Sequence, residues 1–401
     1  MTKSEKKVRA LNSPWYRFRR NPLSIAGLLV IFFVFLIAVL GYLICPDQSP
    51  NANTQFLELS AKKPGFEVKM LKCRRNTSIE ERGIFSKFIS GQEPKYNYYP
   101  INDYFFRNDS IIIQIFNDLP NEEPLFRSFH IADVLFFLPG DTELITKNDI
   151  VRLKSDKISG QYPIQLLQEE IRNDHIVNRR FILGTDRFGR DLLSRMILGT
   201  RISFSVGFIA VLISLIVGIT LGSIAGYFSG KIDSFIMWLI NVVWSIPSLL
   251  LVIALTMVLG KGFWQIFVAV GLTMWVEVAR VVRGQVKSES KKEYVEAAIA
   301  LGVNKFRLLY RHILPNIISP VIIISAANFA SAILIEAGLS FLGIGVQPPV
   351  PSWGTMVRDH YGFIIVDKAY LAFIPGFAIM LLVLAFTLVG NGLRDAYDVK
   401  N

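Results

Sequence analysis

From Leu23 to Ile44 the chain runs 22 residues without a charged side chain, and that stretch limits the fold more than anything else in it. About 20 apolar residues cross the ~30 Å hydrocarbon of a bilayer as one helix, which satisfies its own backbone polar groups. A secretory signal would need a shorter apolar core of about 7–15 residues and a small-residue cleavage site. Neither pattern is present, so the stretch reads as an uncleaved first membrane helix at 23–44. Residues 1–22 carry seven Lys/Arg, with a cluster at Arg17, Arg19 and Arg20. That is the flank expected to stay in the cytoplasm.

Five further spans are read at about 202–227, 234–259, 263–282, 317–339 and 370–390, in keeping with 52% hydrophobic residues and a mean hydropathy of +0.41. Pro247 removes a backbone donor and is expected to kink the third span. The Gly207, Gly218, Gly222 and Gly226 series offers a close-packing face. The net charge of +11 does not indicate nucleic acid, because the basic residues sit in short blocks beside apolar runs, as orientation signals do. Between the first two spans, residues 45–184 are polar and contain short strand-like pieces such as Ser110–Phe116 and Ile131–Phe137. They are expected to form an inserted α/β domain outside the cytoplasm. Cys45 and Cys73 read as two unpaired thiols, or as one disulfide if both face outward.

The segment 283–316, between spans four and five, is the water-facing interruption that the pattern must explain. Eight Lys/Arg lie from Arg280 to Arg311, against only Arg358 and Lys368 between Ser340 and Ala369. The asymmetry places 283–316 in the cytoplasm. Ala297, Ala298 and Ala300 favour helix. Gly302 can end that helix with a positive φ, and Asn304 can cap a second one carrying Phe306, Leu309, Tyr310 and Ile313. Small side chains would let another protein approach closely; a solvated loop with helix-favouring alanines reads equally well from the residues alone.

Glu296-Ala297-Ala298, Gly302 after three residues and Ile313-Leu314-Pro315 after ten more resemble the EAA loop of binding-protein-dependent ABC importers. Leu183–Leu192, Glu336–Pro349, Pro351-Ser-Trp-Gly354, Gly392–Ala396 and the basic start Ser13–Pro22 are similar to the C-type permease subunit of dipeptide and oligopeptide importers. The resemblance covers about 13–44 and 183–396 and leaves out the insertion. It implies an α-helical integral membrane protein with six transmembrane helices of ABC-importer permease type, a permease core at 185–396 and a cytoplasmic tail at 397–401. It also implies that Glu296, Ala297, Ala298, Gly302, Ile313, Leu314 and Pro315 couple the chain to an ATPase. The partners implied are two ATP-binding subunits or a fused pair, a second, non-identical permease subunit and an extracytoplasmic substrate-binding protein. ATP and magnesium would be used by those subunits, with no cofactor held by this chain. The setting is a bacterial inner membrane, with both termini cytoplasmic and peptides as cargo.

Several other residues are candidates for a role. Charge is costly in a bilayer, so Glu277 and Glu336 stand out, with structural hydrogen bonding favoured over proton relay. Asn241, Ser245 and Asn328 suit helix–helix hydrogen bonds or a pathway lining. Asp186, Arg190 and Asp191 fit either an outer collar that meets a binding protein or the cap of a short helix at 192–198. Arg307 and Arg311 suit lipid headgroups. Gly226–Lys231 lacks the glycine spacing of a phosphate-binding loop, and no nucleophile–base set is evident, so the chain does not read as an enzyme. The alternatives are a permease for nickel, another small ligand or a larger peptide, and, in another class, a membrane receptor that senses through 45–184.

Overall fold

The computed structural model describes residues 14–79, 82–118, 123–138, 142–154, 159–260 and 262–397. The first thirteen residues of the basic start, residues 139–141, Lys261 and the tail from 398 onward lie outside the described residues. The chain divides into two compact units, one of residues 1–39, 199–361 and 372–401, the other of 40–198 and 362–371.

The first unit is helical. Helix Pro22–Ile44 starts where Asn21 Oδ1 accepts the N–H groups of Leu23 and Ser24, at 3.1 and 3.3 Å. These are the donors that a helix start leaves unpaired. Its Ser24 hydroxyl donates to the Leu388 carbonyl at 3.3 Å, which ties it to helix Tyr370–Tyr397. Helix Leu192–Tyr227 has 36 residues, about 54 Å at 1.5 Å per residue, more than a hydrocarbon core needs. A Cβ on Gly218 would lie 2.5 Å from Val278, one on Gly222 2.5 Å from the Ala279 carbonyl and one on Gly226 2.7 Å from the Arg283 carbonyl. The glycine series is therefore the seat of helix Phe263–Glu289. Gly207 meets the Phe329 ring instead, at 2.5 Å.

The apolar stretch read at 234–259 is two helices, Lys231–Trp244 and Ser248–Leu259, bent by 91° at Ser245–Pro247. Five other helices, Pro22–Ile44, Leu192–Tyr227, Trp264–Glu289, Ile318–Phe341 and Tyr370–Tyr397, are long and apolar enough to cross a membrane.

Among the described residues the second unit carries eight strands: β1 Phe66–Arg74, β2 Tyr96–Arg107, β3 Ser110–Ile115, β4 Phe126–His130, β5 Glu143–Lys147, β6 Ile150–Lys154, β7 Ser159–Pro163 and β8 Ile176–Phe181. They form a five-stranded sheet in the order β4-β3-β2-β1-β8 and a three-stranded sheet β5-β6-β7. Every ladder is antiparallel. The α/β expectation is thus corrected toward antiparallel sheets with short helices, since no parallel crossover joins the described strands. The piece expected as a strand at 131–137 holds helix Ile131–Leu135. The reason is local: His130 Nδ1 accepts the Ala132 N–H at 3.1 Å, and Ile131, Ala132 and Val134 all turn into one core with Leu71, Ile111, Ile113 and Leu167. Cys45 and Cys73 are free and buried. Burial pushes both thiols up to about 12.

Candidate coupling site

Helix Glu293–Ala300 is short, and what holds it is at its ends. The Val303 N–H donates to the Ala298 carbonyl at 3.1 Å and the Gly302 N–H to Ile299 at 2.9 Å. This paired closure needs a left-handed residue, which Gly302 supplies at φ +77°. The Asn304 side chain then accepts the Phe306 N–H at 2.9 Å and starts helix Lys305–Leu308.

From Leu309 to Ile313 the chain widens into a π turn. It follows that Leu309 and Ile313 are buried with Val295, Val282 and Val286. Phe306 and Tyr310, expected on the same face, are exposed.

Four side chains beyond the sequence motif brace the loop. Tyr294 donates its hydroxyl to Glu289 Oε1 at 2.8 Å and accepts Asn316 Nδ2 at 3.0 Å, while Lys292 pairs with Glu289 at 2.8 Å. Burial raises the Tyr294 phenol above its usual range, so it stays a donor at neutral pH. Glu289 and Lys292 are three residues apart, close enough in sequence for a pair of opposite charges to be anticipated, although the bond spans the turn between two helices. The Tyr294–Asn316 contact spans 22 positions and carries no such signal. With its back fixed through Val295, the loop turns Glu296 and Ala297 to the surface beside Ile299 and Leu301, the latter 85% exposed. Ala298 and Leu314 are half-buried, and Pro315 is exposed. A fixed small-residue helix with an apolar, uncovered edge is suited to seat in a groove of another protein.

Among the remaining candidates only Asp186 and Arg190 are brought into direct contact by a described side-chain bond. Asn241 and Ser245 are exposed at the bend of the broken helix pair, with Arg280 Nη2 at 3.5 Å from Asn241 Oδ1. Arg280 also lies over the Trp244 ring at 3.5 Å. Asn328 and Glu336 are buried on helix Ile318–Phe341. Glu336 is fully enclosed and bonded to Ser340 at 2.7 Å and Ser203 at 3.3 Å. Ser340 in turn contacts Ser352, whose side chain caps helix Trp353–His360. The arrangement joins three elements through one carboxyl group, the structural hydrogen bonding favoured from sequence. Glu277 is exposed.

In the other unit, Asp186, Arg190 and Asp191 are all buried. Asp186 accepts the Phe188 and Arg190 N–H groups and pairs with Arg190 Nε at 2.6 Å. Asp191 accepts the Ser194 N–H at 2.8 Å and so caps the start of the long helix. Burial raises its carboxyl above the usual range. All three side chains are spent inside the unit.

Among the described residues, five apolar helices, a bent helix pair that makes a sixth where it counts as one span, and a braced surface loop fit a helical membrane permease of the ABC-importer type. Residues 218–400 match the binding-protein-dependent transport system inner membrane component family, and residues 13–64 match the N-terminal TM domain of oligopeptide transport permease C. The chain is 43% identical over 222 residues to a di/tripeptide transport system permease protein of Pseudomonas aeruginosa, covering 55% of this chain and 73% of that one. It is 40% identical to a glutathione transport system permease protein of Pectobacterium atrosepticum, covering 54% and 72%. An oligopeptide transport system permease protein of Bacillus subtilis is 42% identical, covering 54% and 71%. The chain belongs to the binding-protein-dependent transport system inner membrane component family, and is a multi-pass inner-membrane permease subunit.

Proposed function

We propose that this chain forms half of a peptide-import pathway that works by alternating access, driven by ATP hydrolysis in separate subunits. Three relatives with peptide or glutathione transport in their names support the cargo class. The observation that carries the mechanism is the braced loop at 293–316, with Glu296 exposed on a helix closed by Gly302 and tied through Tyr294 to the end of helix Phe263–Glu289. Two ATP-binding subunits or a fused pair would bind ATP and magnesium, and the Glu296–Lys305 segment would pass their closure to the membrane helices. A second, non-identical permease subunit completes the pathway, and a substrate-binding protein delivers peptide from outside. The proposed topology keeps both termini and 283–316 in the cytoplasm and 45–184 outside it. No observation favours a nickel permease or a receptor.

The test is co-purification from the native membrane, comparing wild type with Glu296→Arg and Gly302→Val. The variants should lose the ATP-binding subunit while keeping the second permease. A wild-type chain that brings down no ATPase in several mild detergents would overturn the reading.

A further inference from the structure

The matched families cover residues 13–64 and 218–400, so neither accounts for residues 65–217, which supply one wall of the cleft described next. Within the 40–198 unit, between segment 49–56 and residues 93–99, lies a cleft of about 530 Å³. A neighbouring recess of about 270 Å³ shares Glu93, Tyr96 and Tyr98 with it and adds Arg179. Cavities of this size hold small ligands.

The walls are fixed without a ligand. The Asp47 carboxylate accepts the N–H groups of Ser49 and Thr54 at 3.0 and 3.2 Å. Gln92 N–H donates to the Gln48 carbonyl at 3.0 Å, which ties one wall to the other. The Asn53 amide oxygen accepts Arg190 Nη1 at 3.1 Å. That gives the buried Arg190 a purpose at this site.

The lining combines three chemistries that one ligand class needs together. Opposite charges stand side by side, with Arg75 Nη1 3.1 Å from Glu93 Oε2 and both side chains partly exposed. An exposed pair of this kind contributes little to stability, so a ligand's own charges can replace each partner at small cost. Primary amides come next. Asn97 Oδ1 accepts Arg75 Nε at 2.8 Å and Asn53 Oδ1 is taken by Arg190, which leaves two NH₂ groups as donors to a carbonyl. Aromatic surface completes the set, with Tyr96 held under Lys72 at 4.2 Å and Tyr98 beside Arg179 at 5.8 Å. A lone anion would be repelled by Glu93 and a metal ion by Arg75. A zwitterion with amide bonds satisfies both.

We propose that this cleft binds short peptides with free termini. Glu93 takes the ammonium group, Arg75 the carboxylate, and Asn53 and Asn97 donate to peptide carbonyls. The inference rests on the peptide-import reading and adds to it a peptide site in the insertion.

The test uses the assembled transporter in nanodiscs without nucleotide. It measures equilibrium binding of radiolabelled trialanine to wild type, Glu93→Gln and Arg75→Gln, and trialanine uptake by proteoliposomes in parallel. Unfolding midpoints report whether each variant is folded, and Glu93→Gln keeps the shape of the side chain should Arg75→Gln disturb the sheet. Saturable wild-type binding that weakens at least about tenfold in a folded variant, and that N-acetyl-trialanine amide does not compete, is the expected result. Equal binding by wild type and folded variants overturns the proposal, as does wild-type uptake without nucleotide-free binding; in both cases the import reading stands. Neither uptake nor binding removes the import reading and this proposal with it.

Discussion

Gly302 sits at φ +77°, yet nothing lies within 4 Å of where its Cβ would be. The demand on this position is therefore conformational and not steric. A non-glycine residue in that region costs about 1–2 kcal/mol, while Asn enters it more readily. We expect Gly302→Asn to keep nearly all the ATP-binding subunit in co-purification. Gly302→Val should keep several-fold less, by a factor of about 5–30 for one to two kcal/mol. Equal retention by both would show that the closure is not what positions Glu296. Sequence spacing made Gly302 legible because a helix end has a residue-type signature.

His175 had no signature of that kind. It is buried, and its Nδ1 donates to the Lys72 carbonyl at 2.6 Å, across 103 positions. Burial lowers its pKa below the usual 6.5, and the Lys72 charge adds to that; the hydrogen bond to Lys72, Glu170 and Asp174 oppose it. The unfolded chain then takes up the proton first. Stability from His175 is complete above about 6.5 and falls as pH drops from there toward the lower folded value. The unfolding midpoint should decline over that window in wild type, and the decline should be shallower in His175→Gln, which can still donate to the carbonyl. Parallel profiles would remove His175 as the cause.

At the scale of elements, the 192–227 helix meets the 263–289 helix through missing side chains. Overpacking such a seam costs about 1–3 kcal/mol. Gly222→Val, whose Cβ would meet the Ala279 carbonyl and Cα, should leave less folded protein after a fixed heating step in detergent. Gly284→Ala is the comparison, since its Cβ would meet nothing within 4 Å. The glycine spacing was legible because small residues one turn apart mark close contact.

The Asp233–Arg283 pair was not legible. Its two contacts, 2.5 and 2.7 Å, join the helix Lys231–Trp244 to the same long partner across 50 positions, and Lys287 stands 3.7 Å away. The pair is mostly buried. Removing one partner leaves the other charge without its match in a partly enclosed setting, which costs more than the loss of an exposed pair. Asp233→Ala should therefore lower thermal stability more than the Asp233→Ala, Arg283→Ala double variant does, the reverse of additive loss. The break at Ser245–Pro247 was only half legible. Proline announces a disturbed helix, but whether it kinks the helix or turns it by 91° depends on packing partners such as Arg280 over Trp244.

For the molecule as a whole, the proposed topology fixes which side of the membrane each water-facing segment should occupy. Charge asymmetry argues one answer: eight Lys/Arg from Arg280 to Arg311 against two between Ser340 and Ala369. The insertion's topology could not be read from its sequence, because ladder partners such as Val68 and Arg179 lie more than a hundred positions apart. The proposed topology, with one span before the insertion, puts it outside the cytoplasm. The native cysteines supply a quiet background for a direct measurement. Both are buried and their thiols are pushed up to about 12, so almost no thiolate exists at neutral pH to attack a maleimide. Single cysteines at exposed Lys87 and exposed Glu296 should then report alone. With a membrane-impermeant maleimide added to intact spheroplasts, Lys87→Cys is expected to label and Glu296→Cys to stay silent until the membrane is opened. Inside-out vesicles should reverse the pattern. If both positions labelled in intact spheroplasts, the 192–227 helix and the helices after it could not hold their proposed directions. The loop at 283–316 would then face away from any cytoplasmic ATPase, whatever its shape.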